Sequence, residues 1–406
     1  MTSPNLTVLV FAQYFPPDMG GGSARANNVV NGLLNVGCAV TVVAAFPHYP
    51  GGNIPERYKH KAVVAEQYGG AKVYRVWVPA LSHSSPLKRV ILHFCFILSS
   101  LFAFPFIAKP DVVWGANPNL FSFFPILIYG ILFHVPIVRN VDDLWPEVFY
   151  ELHLVNSNIL RKSLDFLAWL SYVIPVAITP ISEGYKRSIV NKYKVAPEKV
   201  HVIEVGVDCV KPLLSGAVSA NRFIVMYSGV LGLGYDFDII LRSAQILRNK
   251  KNIVFIIRGV GELAPKLNQT IHALNLDNVV LDTTFLKKND LVSLLSSADV
   301  FVLPMASLSF VDLGLPTKIF EFQSYAKPII CVSNGESAKY IRSTNSGLLV
   351  KPDDAEGLAD AIVRLYEDKQ LSSKLGLNGL TYVSKNLTVP KIGAHMKSVF
   401  SEILSK

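Results

Sequence analysis

Two glycine-rich segments of the sequence could bind phosphate groups. The segment YFPPDMGGGSARANN places Gly21 and Gly22 before a helix that could begin at Ser23, and the segment SGVLGLGYDFD contains Gly229 and Gly232. Glycine lets backbone N–H groups approach an anion, and a helix N-terminus attracts the same ligand. The first segment lacks the G-x-G-x-x-G order of dinucleotide-binding proteins, which disfavours NAD. Together the segments indicate a nucleoside diphosphate, although the first could also be a flexible turn with a serine cap.

Three charged residues in the second half of the chain could contact the same ligand. Arg258 ends an apolar run in IIRGVGE, where its planar guanidinium could pair with a phosphate or form a surface salt bridge. Lys318 and Glu321 lie three residues apart in GLPTKIFEFQSYAKPII, and on a helix this spacing places them on neighbouring faces. The two side chains could therefore bind a ligand or form a surface ion pair with each other.

A cluster of carboxylates follows a predicted strand in the segment RNVDDLWPEVFYE. Asp143 within it could orient sugar hydroxyls or take a proton from an acceptor. Its alternative role is to cap a helix that begins near Pro146. His48 and His153 have no partners at metal-ligand spacing, so we expect them to be surface or packing residues and predict no metal site.

The predicted elements would position these residues at the ends of parallel strands. Short runs of strand-forming residues alternate with helical-length segments, as in α/β proteins. The first half contains a helix at 23–37 and predicted strands at 7–13, 38–46, 72–78, 111–117, 135–141 and 176–182. The second half contains predicted strands at 223–229, 252–259, 278–284, 299–304, 327–333 and 346–352. Ligands bind beyond the carboxyl ends of such strands, which is where the glycine-rich segments lie.

The length of the chain predicts two domains, because 406 residues exceed one ordinary core. The predicted fold class is α/β, with two facing Rossmann-like domains and a cleft between them. We place the first domain at 1–205 and the second at 206–385, with a loose segment at 212–222. Residues 386–406 are expected to form a C-terminal helix that could pack back across the interface.

Charge and composition indicate an anionic, apolar partner for the first domain. Residues 1–110 carry nine Lys and Arg against three acids, so they hold +6 of the formal charge of +9. No basic run with interleaved aromatics suggests nucleic acid. An anionic membrane surface fits better, since Lys88 and Arg89 directly precede the apolar run VILHFCFILSSLFAFPFIA. The four cysteines show no C-x-x-C spacing, which fits a reducing compartment.

The apolar stretches 90–108 and 119–138 are long enough to cross a membrane as a two-span hairpin. Proline and histidine interrupt both, however, and the strand predicted at 111–117 lies between them. We therefore favour two helices of the first domain, one of which exposes an apolar face to a bilayer as in a monotopic enzyme.

An ordered set of five motifs runs through nearly the whole chain. They are YFPPDMGGGSARANNVVNGLLNVG, AFPHYPGG, VDDLWPE, ITPISEGYKRSIV and GLPTKIFEFQSYAKPII. The set resembles glycosyltransferase family 4, which has the GT-B fold, and within it the WbuB-like enzymes that build bacterial O-antigen and capsular polysaccharides. The resemblance implies a retaining, metal-independent transfer of a sugar from a nucleotide sugar. It also implies that the second domain binds the donor and the first domain the acceptor.

The resemblance assigns roles to residues at the motif positions. Gly21 and Gly22 would approach the donor phosphate, and Asp143 would lie near the transferred sugar or the acceptor. Glu321 would hydrogen-bond the ribose hydroxyls, and Lys318 would contact the diphosphate. Gly229, Gly232 and Arg258 complete the expected donor site.

The sequence departs from the family pattern at three places. Leu313 stands where the first glutamate of a paired-glutamate motif is expected, eight residues before Glu321. The usual Arg and Lys are missing from SGVLGLGYDFD, and the common P-N-G-V-D is replaced by EVGVD at 204–208. Lys318 is a natural substitute for the missing phosphate contacts.

The expected function is transfer of a sugar, with an N-acetylated amino sugar or a deoxysugar among the candidates, in surface polysaccharide synthesis. UDP is the favoured donor nucleotide, and a polyprenyl-diphosphate-linked sugar is the expected acceptor. The enzyme would act peripherally at the cytoplasmic face of the cell membrane, and its oligomeric state stays open. The alternatives are a GT-B sugar-nucleotide epimerase, which would need no apolar surface, and an inactive GT-B subunit that binds a partner transferase.

Overall fold

The chain folds into two compact units. The computed structural model describes residues 6–49, 51–82, 85–116, 120–207 and 222–405. Unit 1 comprises Met1–Gly206 and Val389–Lys406, and unit 2 comprises Val207–Thr388. Most of the loose segment predicted at 212–222 lies outside the described residues.

Unit 1 is built on a seven-stranded sheet with the order β3-β4-β2-β1-β5-β6-β7. The strands are β1 Thr7–Phe11, β2 Ala39–Ala45, β3 Val63–Tyr68, β4 Ala71–Val76, β5 Val112–Gly115, β6 Ile137–Val141 and β7 Ala177–Pro180. All pairs are parallel except β3 with β4. The six predicted strands are confirmed. β3 was missed because this edge strand keeps only half-buried and exposed residues, so its sequence lacks a buried apolar run.

The helices of unit 1 lie on both faces of this sheet. They are α1 Gly21–Asn35, α2 Pro86–Ser100, α3 Phe123–Phe133, α4 Glu147–Glu151, α5 Asn158–Val173 and α6 Glu183–Tyr193. The connections through α2, α3 and α5 cross the sheet in one direction and the connection through α1 crosses it in the other. Because such crossovers are right-handed, α2, α3 and α5 share one face and α1 lies on the opposite face.

The two apolar stretches of unit 1 belong to this helical layer. The first forms α2 and a 3-10 segment, Leu101–Phe106, and the second forms a short 3-10 turn followed by α3. Between them β5 is buried and pairs with β1 and β6. The two-span hairpin is therefore wrong, because a strand in the centre of the sheet cannot also be a loop outside a bilayer.

Unit 2 contains a six-stranded parallel sheet with the order β10-β9-β8-β11-β12-β13. The strands are β8 Phe223–Ser228, β9 Ile253–Arg258, β10 Val279–Asp282, β11 Val300–Pro304, β12 Ile329–Val332 and β13 Gly347–Val350, and they confirm all six predictions. The helices are α7 Asp238–Ile246, α8 Ala264–Ala273, α9 Lys288–Ser296, α10 Ser309–Leu313, α11 Lys318–Ser324, α12 Glu336–Thr344, α13 Ala355–Glu367 and α14 Lys369–Asn386. A continuous core of apolar side chains from the strands, α7 and α13 holds the unit together.

After α14 the chain returns to unit 1 as α15, Val389–Leu404, which packs on α1. The two helices cross where Gly32 meets Gly393, and a Cβ atom at Gly32 would lie only 2.8 Å from the Val389 carbonyl oxygen. Lys397 Nζ donates to the Val36 carbonyl oxygen at 2.9 Å, near the end of α1. Helix α15 thus supports the helix whose first turn carries Gly21 and Gly22.

Each sheet has one point where the strand order reverses. In unit 1 this point lies between β1 and β5, and in unit 2 it lies between β8 and β11. Loops that leave the carboxyl ends of strands at such a point form the usual ligand site of an open α/β sheet. The two glycine-rich segments follow β1 and β8, so each unit has a candidate site at this position.

Candidate active site

In unit 2, the structure brings Lys318 and Gly229 into contact. Lys318 is the first residue of α11, and a Cβ atom at Gly229 would overlap its Cε and Nζ atoms. Gly229 also has a φ of +149°, which side-chain-bearing residues rarely adopt. Lys318 Nζ lies 5.4 Å from the ring centroid of Tyr235 and 5.9 Å from that of Tyr227. A fixed cation therefore lies at the carboxyl end of β8, where an anionic ligand is expected.

The loop after β9 packs against the loop after β8. The Gly229 N–H donates to the Arg258 carbonyl oxygen at 2.9 Å, and the Leu231 N–H donates to the Val260 carbonyl oxygen at 2.9 Å. Gly259 and Gly261 lie so close to this loop that a Cβ atom at either would overlap backbone atoms of Gly229 or Leu231. Glycine is therefore needed here for close backbone packing. Gly232 lies further along, where its carbonyl oxygen accepts from the Tyr235 N–H at 3.1 Å.

The guanidinium of Arg258 is bound within unit 2. Its Nε is 3.2 Å from Asp282 Oδ2, its Nη2 donates to the Thr284 carbonyl oxygen at 3.0 Å, and only 8% of the residue is exposed. Burial alone would raise the pKa of Asp282, but hydrogen bonds from Thr284 and the charge of Arg258 lower it overall. The salt bridge thus joins the buried Arg258 at the end of β9 to the half-buried Asp282 at the end of β10. Contact with a donor phosphate stays a prediction for Arg258.

Glu321 lies one helical turn after Lys318 and is exposed. Among the described residues the two side chains form no ion pair with each other, so the interpretation as a surface ion pair is wrong. Surrounding protein raises the pKa of the Glu321 carboxyl, and the Lys318 charge opposes this shift. A carboxylate and a cation that do not neutralise each other are both available to a ligand.

A Glu321→Gln variant is expected to bind the donor more weakly and to keep its turnover at saturating donor. A carboxylate that accepts hydrogen bonds from ribose contributes about 1.5 to 3 kcal/mol per contact, or roughly 10- to 150-fold in the dissociation constant. Donor affinity and kcat should be measured together, with Glu367→Gln as a control on an exposed carboxylate of the same unit. Equal donor affinity in the two variants would remove Glu321 from the site.

In unit 1, Gly21 and Gly22 form the first turn of α1. The helix begins two residues earlier than predicted, after Gly20 with a φ of +100° and without a side-chain cap, so the serine-cap interpretation of Ser23 is wrong. A Cβ atom at Gly21 would have no neighbour within 4 Å. The backbone at the start of α1 is therefore accessible, as a phosphate ligand would require.

A Gly21→Ala variant is expected to fold normally, because the added methyl group meets open space. Its thermal stability should equal or exceed that of the wild type, since alanine is favoured over glycine within a helix. If the donor phosphate approaches this backbone, the methyl group should nevertheless lower donor affinity severalfold, which titration with the nucleotide would detect. Unchanged affinity would place the phosphate elsewhere.

Arg25 connects the first turn of α1 to the carboxylates after β6. It is buried and lies 3.4 Å from Asp142, and it donates to the carbonyl oxygens of Glu204 at 2.7 Å and Ile203 at 2.9 Å. The start of α1, the end of β6 and the segment after α6 are therefore held together by one side chain. Gly21, Gly22 and Asp143 belong to this connected region.

Asp143 does not cap a helix, which corrects that alternative. Helix α4 begins at Glu147 after Pro146 and has no side-chain cap. Burial, with the neighbouring Asp142 carboxyl, raises the pKa of Asp143 to about 7. Burial also raises the pKa of Asp142, although Arg25 and Asn140 oppose that shift. At neutral pH Asp143 can therefore both lose and accept a proton, as a group that acts on an acceptor hydroxyl must.

A second group of polar residues in unit 1 was not recognised from the sequence. His48, expected to be a surface or packing residue, is buried, and its ring stacks on Tyr14 with the centroids 5.5 Å apart. Asp18 Oδ1 accepts the backbone N–H groups of His48 and Tyr49, both at 2.8 Å. Burial raises the pKa of Asp18 to about 6 despite these hydrogen bonds. The available signal was that HYPGG and Asp18 both follow strands, β2 and β1. His153 is exposed, as expected.

One face of unit 1 exposes many large apolar side chains. On α2 and its 3-10 extension these are Leu87, Val90, Ile91, Phe94, Leu98, Phe102 and Phe106, and elsewhere in the same layer they are Ile131, Leu132, Ile159, Phe166, Trp169 and Val173. Helix α1, on the opposite face, exposes no large apolar side chain in its described residues. Within the described ranges, Leu87–Phe106 is also the one helical stretch long and apolar enough to cross a bilayer, and a third of it is buried. The same described ranges contain no cluster of metal-binding side chains.

Two family models match consecutive parts of the chain. The model described as Glycosyltransferase Family 4 matches residues 19–211, and the model described as Glycosyl transferases group 1 matches residues 215–381. The chain is a glycosyltransferase, with a family 4 domain followed by a group 1 domain. The first match contains Gly21, Gly22 and Asp143, and the second contains Gly229, Lys318 and Glu321.

Curated relatives of this glycosyltransferase include three bacterial sugar transferases. It is 24% identical to alpha-D-kanosaminyltransferase of Streptomyces kanamyceticus over 45% of this chain and 46% of that protein. It is 25% identical to the putative colanic acid biosynthesis glycosyl transferase WcaI of Escherichia coli K12 over 68% of this chain and 70% of that protein. It is 27% identical to UDP-Gal:alpha-D-GlcNAc-diphosphoundecaprenol alpha-1,3-galactosyltransferase of Escherichia coli over 56% of this chain and 62% of that protein. The alignment thus spans about half the length of the first of these relatives.

Solved structures of similar fold cover almost the entire glycosyltransferase. Sucrose-phosphate synthase from Thermosynechococcus elongatus aligns with a TM-score of 0.77 at 15% identity, covering 99% of this chain and 100% of that one. HepE from Anabaena, in complex with UDP and glucose, aligns with a TM-score of 0.71 at 16% identity, covering 98% and 100%. These similarities confirm the GT-B fold, with two parallel-sheet α/β domains.

Proposed function

We propose that this glycosyltransferase moves a sugar from a UDP-linked donor to a polyprenyl-diphosphate-linked glycan, with retention of the anomeric configuration. The observation that carries the proposal is the Lys318 side chain lying over Gly229 at the carboxyl end of β8. The name of one relative describes a UDP-sugar donor and a diphosphoundecaprenol acceptor, and HepE was solved with UDP, which supports the same pair of substrates.

The residues of unit 2 account for departure of the donor nucleotide. When the bond between the anomeric carbon and the phosphate oxygen breaks, the diphosphate gains negative charge. A fixed cation stabilises that charge more in the transition state than in the bound donor. We propose that Lys318 supplies this cation in place of a metal ion. Glu321, one turn away, holds the ribose hydroxyls and contributes to binding.

The residues of unit 1 account for the acceptor. Asp143 orients the acceptor hydroxyl and takes its proton as the oxygen bonds to the anomeric carbon. Its pKa of about 7 suits this role, because a base works best when its pKa is close to the working pH. Arg25 fixes Asp142 and leaves Asp143 as the titrating member of the pair.

The apolar face of unit 1 gives the enzyme a surface for the membrane that contains the acceptor lipid. Leu87, Phe94 and Phe102 are more than half exposed along α2 and its extension, and Lys88 and Arg89 lie at the start of the same helix. Apolar side chains beside cations match the boundary between acyl chains and anionic headgroups. We propose peripheral attachment through this face at the cytoplasmic side of the membrane.

Transfer to a lipid is tested by incubating the full chain with radiolabelled nucleotide sugars and a bacterial lipid extract. Label in the organic phase supports the proposal, and NMR of the purified product reports whether the anomeric configuration is retained. A soluble isomerised nucleotide sugar would show an epimerase instead. No conversion with any donor, together with UDP binding, would favour a binding subunit.

Membrane attachment is expected to be partly electrostatic. At about 1 M salt the Debye length falls to about 3 Å, so the attraction between Lys88, Arg89 and anionic lipid is screened. High salt or alkaline carbonate should therefore release a good part of the protein from membranes, measured by sedimentation. Complete retention until detergent is added would show that a segment is inserted in the bilayer.

A further inference from the structure

One side of α2 carries polar residues, and one of them, His93, contacts the loop after β1. Arg89 and His93 lie four residues apart and therefore on the same side of the helix. His93 Nδ1 lies 2.6 Å from Gln13 Oε1, and the His93 and Tyr14 rings have centroids 6.5 Å apart. Burial and the nearby Tyr49 and Asp18 raise the pKa of Tyr14. The positive charge of Arg89 opposes that shift, so Arg89 influences the same tyrosine that His93 contacts. The apolar helix α2 thus has one side that faces a polar group of residues.

The first turn of α2 is unusually positive for the start of a helix. It contains Lys88 and Arg89 and no acidic residue. The N-terminal end of a helix dipole is itself positive, so cations are unfavourable there unless an anion binds. Arg89 is exposed, and in the part of the chain that the structure describes it forms no ion pair with a carboxylate. This turn therefore favours a phosphate ligand.

Two buried polar atoms in the same loop lack a hydrogen-bond partner among the described residues. They are Gln13 Nε2, a donor on a side chain that is 1% exposed, and Asp18 Oδ2, an acceptor on a side chain that is 6% exposed. A buried polar group without a partner is costly, and most native examples are satisfied by water or a ligand. A sugar, whose hydroxyls both donate and accept, would satisfy this pair of atoms.

We propose that this corner of unit 1 binds the head of the lipid acceptor, with Arg89 and the start of α2 on its diphosphate and with Gln13, Tyr14 and Asp18 on its first sugar. The inference rests on the proposed function, because it specifies which acceptor group the enzyme recognises. The acidic Asp18 suits a hydroxyl and disfavours a phosphate, so the diphosphate lies at Arg89. The prenyl chain would then continue along the exposed apolar side of α2.

The test measures binding to the full chain rather than transfer. The probe is a short-chain prenyl diphosphate linked to N-acetylglucosamine. The comparison ligand is the octyl glycoside of the same sugar, which lacks the diphosphate. The variant is Arg89→Gln. The matched control is Lys162→Gln, which removes one exposed cation from α5 in the same helical layer. Arg89→Lys tests whether an ammonium group, which lacks the planar geometry of the guanidinium, retains part of the affinity.

We expect Arg89→Gln to weaken the diphosphate probe about 10- to 100-fold and to leave the octyl glycoside and UDP unchanged. Lys162→Gln should bind all three as the wild type does. Wild-type affinity of Arg89→Gln for the diphosphate probe would overturn the inference. The inference would also fail if Arg89→Gln kept wild-type affinity for the diphosphate probe and lost only its binding to phosphatidylglycerol vesicles free of acceptor, because Arg89 would then serve the membrane contact alone.

The binding readout separates this inference from the proposed function. If the wild type binds the probe through Arg89 but transfers no sugar to any lipid, the transfer proposal fails and the subsite stands. If the wild type transfers sugar to lipid and Arg89→Gln binds the probe normally, the transfer proposal stands and the subsite fails.

Discussion

A Lys318→Ala variant is expected to keep its fold and to lose at least about 100-fold in kcat, because a preorganised positive group at a leaving oxygen contributes roughly 3 kcal/mol or more to the transition state. Its side chain lies over Gly229 at the end of β8 and forms no ion pair with Glu321, so its removal breaks no salt bridge between them. Donor affinity should fall less than turnover, since the diphosphate gains charge only as the bond breaks. Initial rates over a range of donor concentrations separate the two effects.

Lys339→Ala is the matched control for Lys318→Ala. Lys339 is exposed and forms an i,i+3 ion pair at 2.7 Å with the half-buried Glu336 in the same unit. Such a pair contributes at most about 1 kcal/mol, so this variant should show wild-type kinetics and nearly wild-type stability. If Lys318→Ala behaved in the same way as Lys339→Ala, Lys318 would have no role in the reaction.

An Asp143→Asn variant is expected to lose about 100-fold or more in turnover while UDP affinity changes little, because the amide keeps the shape of the carboxyl but cannot accept the acceptor proton. In the wild type, the rate should rise as the pH increases through about 7, where Asp143 loses its proton. The rate of the variant should lack this step. Rates measured between pH 5 and pH 9 in both proteins would check the assignment. Near-normal turnover would contradict it.

The effect of Asp143→Asn on the stability of the fold should depend on pH. The folded-state pKa of Asp143, about 7, lies above the value of about 3.9 for an unfolded chain. Between these values the folded state holds a proton that the unfolded state has lost, so this group makes the protein less stable as the pH rises. The loss is complete above pH 7. Asp143→Asn should therefore melt at a higher temperature than the wild type at pH 8 and at a similar temperature near pH 4. A lower melting temperature at pH 8 would show that the carboxylate stabilises the fold.

The strands could be predicted because each is a short run of β-branched and apolar residues bounded by loops. β8 and β11, for example, are buried along their whole length, and burial on both faces leaves an uninterrupted apolar signal. β3 carries no such signal, because it lies at the sheet edge. The start of α1 was placed two residues late, since glycine is a poor helix former and only the structure shows Gly21 in the first turn.

The site was predicted less completely, because its contacts join residues that are distant in the chain. Lys318 and Gly229 are 89 positions apart, and no local pattern indicates that one side chain covers the other. The spacing of Lys318 and Glu321 allows an ion pair between them. In the structure the Lys318 side chain instead lies over Gly229, near the ring of Tyr235. The residues around His48 were missed for the same reason. They lie in the loops after β1 and β2 and on helix α2, and these parts of the chain meet only in the folded unit.

The return of the chain to unit 1 has a consequence for biosynthesis. Ribosomes make α15 after all of Val207–Thr388, yet α15 covers the α1 surface around Gly32. Unit 2 is one continuous segment and can complete its core during translation, whereas unit 1 must wait with part of α1 uncovered. A chain that ends at Thr388, once released from the ribosome, should thus contain a protease-resistant second half and a protease-sensitive first half. Under the proposed function, the unit that binds the donor would be complete before the unit that contacts the membrane.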